Sequence, residues 1–428
     1  MSIAAGSEIT LEIEKPAVGG RMLARHDGQV VLVWGAIPGE RVRARVERAG
    51  KGVIFADATA VIVSSPDRRE PGPDWRCGGN VFAHITYERQ VRLKAEIIRD
   101  ALGRIGRVPL STLPDVVPSP ERGYRMRARL HVRDGRLGFF REGSHELCDP
   151  EPTGQLLRST LDWISAAEHL IEREGLRGLA GLEIAENMPG DQRACHLDLQ
   201  GGVDAAPFTA LAEVGPLTGV SVTRADREGV ERLAGVASVT DVVRADDSQA
   251  APLRLQRDVR AFFQGNRFVL EPLVRQVLAR VSPGPVVDLY AGVGLFGLSL
   301  AATGTNQVIL VEGDPTSGAD LQANAAVFAS RVRVERRSVE SFLRGAGWAP
   351  TFIVDPPRTG MSKEALAGVV RARPGRIVYV SCDIATFARD ARALLDAAYD
   401  LEGVVGIDLF PGTAHVEVVA SFARADTG

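Results

Sequence analysis

The alternation of apolar and polar positions divides this chain into an irregular front and a regular back. Residues 8–63 read as short strands, ITLEIEK, RMLARHDG, VVLVWGAIPGE, RVRARVERAGKG and VIFADATAVIV, separated by glycine- and proline-bearing turns. Strands this short predict a small β-barrel. SSPDRREPGPD (64–74) is rich in proline and charge and reads as a linker. Over 86–105, Val91, Leu93, Ile97, Ile98, Leu102 and Ile105 recur as one helical stripe. Residues 111–250 mix strands with one clear helix, 154–174, in an order that the pattern does not settle. From about 260, strand and helix alternate, with strands at 286–290, 307–312, 331–337, 351–355, 376–381, 404–410 and 415–422. Parallel strands joined by helices predict a doubly wound sheet. The last two strands are separated only by PGTA, too short for a crossover, and are predicted to pair antiparallel.

Composition narrows the class. The 428 residues are 45% hydrophobic and 25% charged, which excludes a disordered tail or a fibre. No run of about 18 apolar residues is present, so no membrane span is expected. The first fifteen residues lack the basic and apolar regions of a signal peptide. Four cysteines, Cys77, Cys148, Cys195 and Cys382, are too few and too widely spaced for a disulfide framework, so a cytoplasmic protein is expected.

The net charge of −3 speaks against a nucleic-acid ligand until it is divided. Residues 1–145 hold 24 Lys/Arg against 17 Asp/Glu, and the remainder holds 27 against 37. Within this basic front, Tyr124–Arg133 alternates without a break. Arg125, Arg127, Arg129, His131 and Arg133 share one face of the predicted strand. That much aligned charge requires an answer from acidic neighbours or from phosphates, so Arg125, Arg127 and Arg129 are candidate RNA contacts.

The candidate chemistry lies in the back. Gly292-x-Gly294-x-x-Gly297 follows a strand, and Glu312 ends the next one. Glycines let the backbone turn and approach a cofactor, and a carboxylate at that place can accept ribose hydroxyls. NAD and S-adenosylmethionine both fit this arrangement. Asp288, ahead of the first glycine, favours a cationic cofactor over a pyrophosphate. So does a sheet of five parallel strands ending in an antiparallel hairpin. Asp355-Pro-Pro-Arg358 closes another strand, with arginine where amine methyltransferases usually carry an aromatic residue.

Cys382 ends a central strand at the same sheet edge as Gly292, Glu312 and Asp355. A lone cysteine is more often structural, but that position argues for a nucleophile. Thr413, His415 and Glu417 are expected on one face of the last strand, and either His415 or Glu417 could take a proton. Glu417 is preferred, because an acid in the apolar run VEVVASF is costly to bury without purpose. A cysteine suits methylation at carbon 5 of uracil. A thiolate adding to carbon 6 makes carbon 5 nucleophilic, and a base must then remove the carbon-5 proton. A thiol pKa below the free value of about 8.5 is expected.

At these residues the chain resembles the RNA (uracil-5-)-methyltransferases. The matching motifs are Phe262-Phe-Gln264-Gly-Asn266, Asp288-LYAGVG-Leu295, Val311-Glu312, Asn324-Ala, Asp355-Pro-Pro-Arg358, Ser381-Cys382-Asp383 and Phe410-Pro-x-Thr413-x-His415-Val-Glu417. The resemblance implies Cys382 as nucleophile and Glu417 as general base. It implies that Gln264, Tyr290, Glu312 and Asp355 contact S-adenosylmethionine or shape its pocket, and Asp288, Gly292 and Gly294 are expected to bind the cofactor beside them. It also implies three parts: a TRAM-like RNA-binding β-barrel at 1–63; a linker, helix and central α+β RNA-binding domain at 64–250; and an α/β Rossmann-like methyltransferase domain at 251–428. Ribosomal RNA is the expected partner rather than transfer RNA, and a monomer is expected. Many TRAM-bearing members hold an iron–sulfur cluster on four cysteines. Here only Cys77 and Cys148 occupy such positions, so no cluster and no metal are expected. Two other readings predict different behaviour. A nicotinamide-dependent oxidoreductase would not need Cys382, and an RNA-binding protein without catalysis would bind RNA equally well as Cys382→Ala.

Overall fold

The computed structural model describes residues 3–17, 19–50, 52–245, 252–304, 307–347 and 349–425. Strands β1 (Glu8–Pro16), β2 (Met22–His26), β3 (Gln29–Trp34), β4 (Arg41–Ala49) and β5 (Val53–Val63) close into a barrel in the order β1-β2-β3-β5-β4. Period-two alternation builds it. Ile9, Leu11 and Ile13 of β1 and Val42, Ala44 and Val46 of β4 fill the inside. The outward Arg41 and Arg45 of β4 lie 3.4 and 3.5 Å from Glu12 and Glu8 of β1, so acidic neighbours answer much of the barrel's positive charge. The segment expected to be a linker is held on the barrel: Arg68 donates to both oxygens of the fully buried Glu40 at 2.7 and 2.6 Å.

Helix α1 (Tyr87–Ala101) runs on into a π turn at Leu102–Gly106, and a short β6 (Val116–Val117) follows. The middle of the chain forms a seven-stranded sheet in the order β13-β12-β11-β10-β7-β8-β9. Its members are β7 (Arg127–Arg133), β8 (Arg136–Phe140), β9 (Leu147–Cys148), β10 (Leu179–Glu186), β11 (Arg193–Leu199), β12 (Gly219–Arg224) and β13 (Glu231–Gly235). Helix α2 (Arg158–Arg173) covers one face, packing Ile164, Ala167 and Ile171 against Leu130, Leu182 and Leu197. A separate hairpin, β14 (Ser238–Val243) with β15 (Leu253–Asp258), leads into the last part. The expected boundary at 250/251 lies between these paired strands and outside the described residues.

One expectation is corrected here. Cys77 and Cys148 form a disulfide with Cα atoms 5.7 Å apart, although 71 residues separate them. Strand β8 brings them together. Cys77 bridges Arg141 just beyond β8, and Cys148 on β9 pairs with Phe139. Sequence spacing carries no trace of this shared neighbour.

The final sheet has the order β18-β17-β16-β19-β20-β22-β21-β6. Its strands are β16 (Val286–Leu289), β17 (Val308–Glu312), β18 (Val332–Arg336), β19 (Thr351–Val354), β20 (Arg376–Ser381), β21 (Tyr399–Ile407) and β22 (Glu417–Arg424). Helices α3 (Leu270–Leu278), α4 (Leu295–Ala302) and α5 (Pro315–Ala325) cover one face. Helices α6 (Val339–Leu343), α7 (Lys363–Ala372) and α8 (Ile384–Asp396) cover the other, with apolar cores on both sides. The five parallel strands and antiparallel ending are those expected. The last turn differs: residues 408–416, rather than PGTA alone, connect β21 to β22. Thr413 and His415 therefore precede the strand and do not alternate with Glu417. No helix among the described residues is long and apolar enough to cross a membrane.

Candidate active site

Parallel strands present their carboxyl ends along one edge of the final sheet, and the antiparallel β22 presents its first residue at that edge. Tyr290 after β16, Glu312 at the end of β17, Asp355 after β19, Cys382 after β20 and Glu417 at the start of β22 therefore converge. They line one cavity of about 750 Å³, together with Gly292, Gln264, Arg358, Phe262 and Phe410. Arg125, Arg127 and Arg129 of the central sheet line the same cavity, so two distant parts of the chain form opposing walls.

The glycine turn is shaped for close approach. Gly292 has φ +57° and donates its N–H to Glu312 at 2.7 Å, while the other carboxylate oxygen accepts from the N–H of Asp314 at 2.6 Å. Burial raises the pKa of Glu312. Tyr290 holds a left-handed φ of +61°, an uncommon conformation for an aromatic residue and one that over-determined sites retain. At Gly294, φ is +101° and a Cβ would lie 2.5 Å from a Leu298 methyl, so glycine is required there for the turn itself.

Asp288 is not where the sequence analysis expects it. Its side chain is fully buried beneath the turn and lies off the cavity wall; it accepts the Gly297 N–H at 2.8 Å. Its other oxygen has no partner, and burial pushes its pKa up to about 8. Asp288 thus braces the turn from behind instead of facing a cofactor. Gly294 likewise turns the chain without lining the cavity.

The reacting groups are strongly desolvated. Burial, and then Glu417, push the Cys382 thiol up to about 11, the reverse of the lowering expected from sequence. Arg358 opposes this through its charge and a hydrogen bond to the thiol. Burial and then Asp355 raise Glu417 well above the ordinary carboxylate range, while Arg358 lowers it. Asp355 is raised as well, chiefly by burial, against a 3.3 Å hydrogen bond from Gln264. The charge of Asp355 thus disfavours ionisation of Glu417. His415 is exposed and off the cavity wall, which leaves Glu417 as the base candidate.

Behind this site the loop carrying Phe410 is anchored by buried polar groups. Lys94 of α1, with no exposed side-chain surface, pairs with Asp408 and donates to the carbonyl of Phe410 at 2.9 Å. Tyr87 donates to the other oxygen of Asp408 at 3.0 Å.

The arginine strand has a mixed answer to its charge. Arg125 is half-buried and donates to Gln155 at 2.7 Å. Arg127 reaches Glu183 at 3.1 Å, and Arg129 reaches Glu183 and Asp198 at 3.3 and 2.9 Å, with 57% of its side chain exposed. Sequence reasoning missed these acids, which come from other strands. It also missed a role for Arg358 and for Phe262, which is 61% exposed on the cavity wall. The FFQGN motif contains Phe262 but does not tell which of its two phenylalanines is outside. Among the described residues, no group of three or more His, Cys, Asp or Glu side chains is placed to hold a metal ion.

Residues 4–59 match the TRAM domain family, and residues 346–424 match the tRNA (Uracil-5-)-methyltransferase family. The 23S rRNA (uracil(1939)-C(5))-methyltransferase RlmD of Pseudomonas putida is 30% identical over 97% of this chain and 94% of its own. An uncharacterized RNA methyltransferase of Streptomyces coelicolor is 34% identical over 99% and 94%. The crystal structure of Pyrococcus abyssi tRNA (uracil-54, C5)-methyltransferase in complex with S-adenosyl-L-homocysteine superposes with a TM-score of 0.77. It is 25% identical, and the match covers 96% of this chain and 99% of that one.

Proposed function

The chain belongs to the TRAM-bearing RNA (uracil-5-)-methyltransferases, and from that premise we propose that it methylates carbon 5 of a uridine in ribosomal RNA, with S-adenosylmethionine as donor, Cys382 as nucleophile and Glu417 as base. The observation that carries this reading is the convergence of Cys382, Glu417, Asp355 and Arg358 in one cavity with Glu312 and Gly292. Ribosomal RNA is favoured over transfer RNA because, of two relatives each matched over nearly its whole length, the 23S rRNA enzyme is 30% identical and the tRNA enzyme 25%. The relatives favour neither the nicotinamide-dependent oxidoreductase nor an RNA-binding protein without catalysis.

The donor set suits a cationic nucleoside. Glu312, Asp355 and Glu417 are desolvated carboxyls in one cavity, and a positive ligand offsets the cost of ionising them. When bound, S-adenosylmethionine supplies an electrophilic sulfonium methyl. Glu312 and Gly292 would hold its ribose side, with Tyr290 and Gln264 shaping the rest of its pocket. Arg358 stabilises the Cys382 thiolate, whose sulfur bonds to carbon 6 of the uracil. Carbon 5 then takes the methyl group. Glu417, ionised, removes the carbon-5 proton; the resulting electron pair re-forms the 5,6 double bond and expels the thiolate. A uridine must leave its stack to reach Cys382 at this depth. Arg127 and Arg129 at the cavity wall are assigned to its phosphates.

The test uses 23S ribosomal RNA and transfer RNA transcripts made with 5-fluorouridine, whose fluorine cannot leave as a proton does. With S-adenosylmethionine, the protein is expected to form a denaturation-resistant adduct on the 23S transcript, and Cys382→Ala none. No adduct on either RNA overturns the mechanism, and an adduct on transfer RNA alone overturns the choice of substrate.

A further inference from the structure

We propose that the open face of the central sheet at β7 and β8 carries a base-stacking site for single-stranded RNA flanking the target uridine, built from His131, Phe140 and His145. This rests on the RNA reading above and extends it to a surface outside the cavity.

Three observations converge on this face. The first is continuity. Side chains alternate along β7, so Ala128 and Leu130 enter the core under α2 while Arg127, Arg129, His131 and Arg133 point away from it. Arg125, Arg127 and Arg129 line the catalytic cavity, whereas His131 does not. His131 is the next position on their face, about 7 Å beyond Arg129.

The second is an aromatic arrangement at that position. The rings of His131 and Phe140 lie parallel, with centroids 3.6 Å apart and planes 7° apart. His145, in the turn after β8, meets Phe140 edge-on at 5.3 Å and 71°. His145 is exposed, and His131 and Phe140 are partly exposed. Burial and the nearby Arg129 hold the His131 pKa below its ordinary value, so at neutral pH the ring presents an uncharged π face. The core opposite has its own aromatic and aliphatic filling, Phe139 and Leu137, so packing does not require this outward stack.

The third is the charge around it. Arg129, Arg136 and Arg141 keep 57%, 72% and 43% of their side chains exposed, and Arg133 is exposed as well. Glu183 and Asp198 pair with Arg129, and Glu146 and Asp74 with Arg141, while Glu168 of α2 draws Arg136 to the rim of the sheet. A flat aromatic pair beside exposed arginine side chains suits single-stranded nucleic acid: bases stack on the rings, and phosphates compete with the acids for the arginines. It offers no edge-specific hydrogen-bond code, so it would grip the flanks of the target while the cavity selects the uridine.

The experiment uses the full chain, S-adenosylmethionine and a 23S transcript carrying both 5-fluorouridine and sparse 4-thiouridine. The Cys382 adduct anchors the RNA, and long-wavelength ultraviolet light then cross-links its flanks. Peptide mapping is expected to find flank cross-links at His131, Phe140 or His145. Anchored RNA whose cross-links fall only elsewhere overturns the proposal while sparing the catalytic reading. No anchored RNA at all overturns both. Independently, Phe140→Leu is expected to weaken binding of the same transcript by about tenfold, and wild-type affinity in a folded Phe140→Leu protein would also overturn it.

Discussion

Asp355 raises the proton affinity of Glu417, and Arg358, three residues after Asp355 in the same motif, lowers it. The proposed base is thus held between a like charge and an opposite one, and its ionisation is conditional on what else occupies the cleft.

The first prediction follows from this pair. Glu417→Gln keeps the shape of the base and removes its function, so methylated RNA is expected to stay attached to Cys382. Gel mobility of the denatured protein checks this. In the wild type, the base works only when ionised and the nucleophile only as thiolate. Both pKa values are raised, so turnover is expected to climb as pH rises through neutral into the alkaline range. A flat profile from pH 6 to 9 would contradict the assignment.

Arg358 supplies a second prediction. It is the group that holds the thiol down against burial, which still leaves its pKa at about 11. Arg358→Gln is expected to slow alkylation of Cys382 by iodoacetamide at pH 8 by about tenfold, the effect of one further pKa unit. Alkylation at the wild-type rate would remove Arg358 from the nucleophile.

Asp288 gives a stability prediction with a definite sign. Its folded pKa of about 8 lies above the unfolded value, so the folded state holds the extra proton between about pH 4 and pH 8. Stability from this group is complete below the unfolded pKa and is lost as pH rises through the folded one. Asp288→Asn, neutral at every pH, is expected to gain in melting temperature relative to the wild type as pH rises through that window. Parallel melting curves would count against the buried acid.

The ion pair of Lys94 and Asp408 has no exposed side-chain surface. Lys94→Met strands the carboxylate and is expected to cost about 3–5 kcal/mol in urea unfolding. Adding Asp408→Leu is expected to recover part of that loss.

The disulfide offers the last prediction. Closing a 71-residue loop restricts the unfolded chain, and replacing both Cys77 and Cys148 by serine is expected to cost about 4 kcal/mol. Reductant is expected to lower the wild type's melting temperature and leave the double variant unchanged.

What could be read beforehand was whatever is carried by local period and order. The barrel, the doubly wound sheet, its antiparallel ending and the grouping of Gly292, Glu312, Asp355 and Cys382 all follow from strand ends and spacing. What could not be read depends on neighbours distant in the chain. Whether Asp288 faces a ligand or the core is decided by the helix packed over it. The partners of Arg127 and Arg129 come from β10 and β11, and the Cys77–Cys148 bond depends on a strand that pairs near both. The direction of the Cys382 shift reflects burial, which one residue's type does not disclose.

The position of β22 has a consequence for biosynthesis. It follows every other strand of its sheet in the chain, yet it lies between β20 and β21 and hydrogen-bonds to both. Until residues 417–424 dock, both neighbours have unpaired backbone, an open invitation to aggregation. Docking of β22 pairs both neighbours and brings Glu417 into the cavity with Cys382 in a single event.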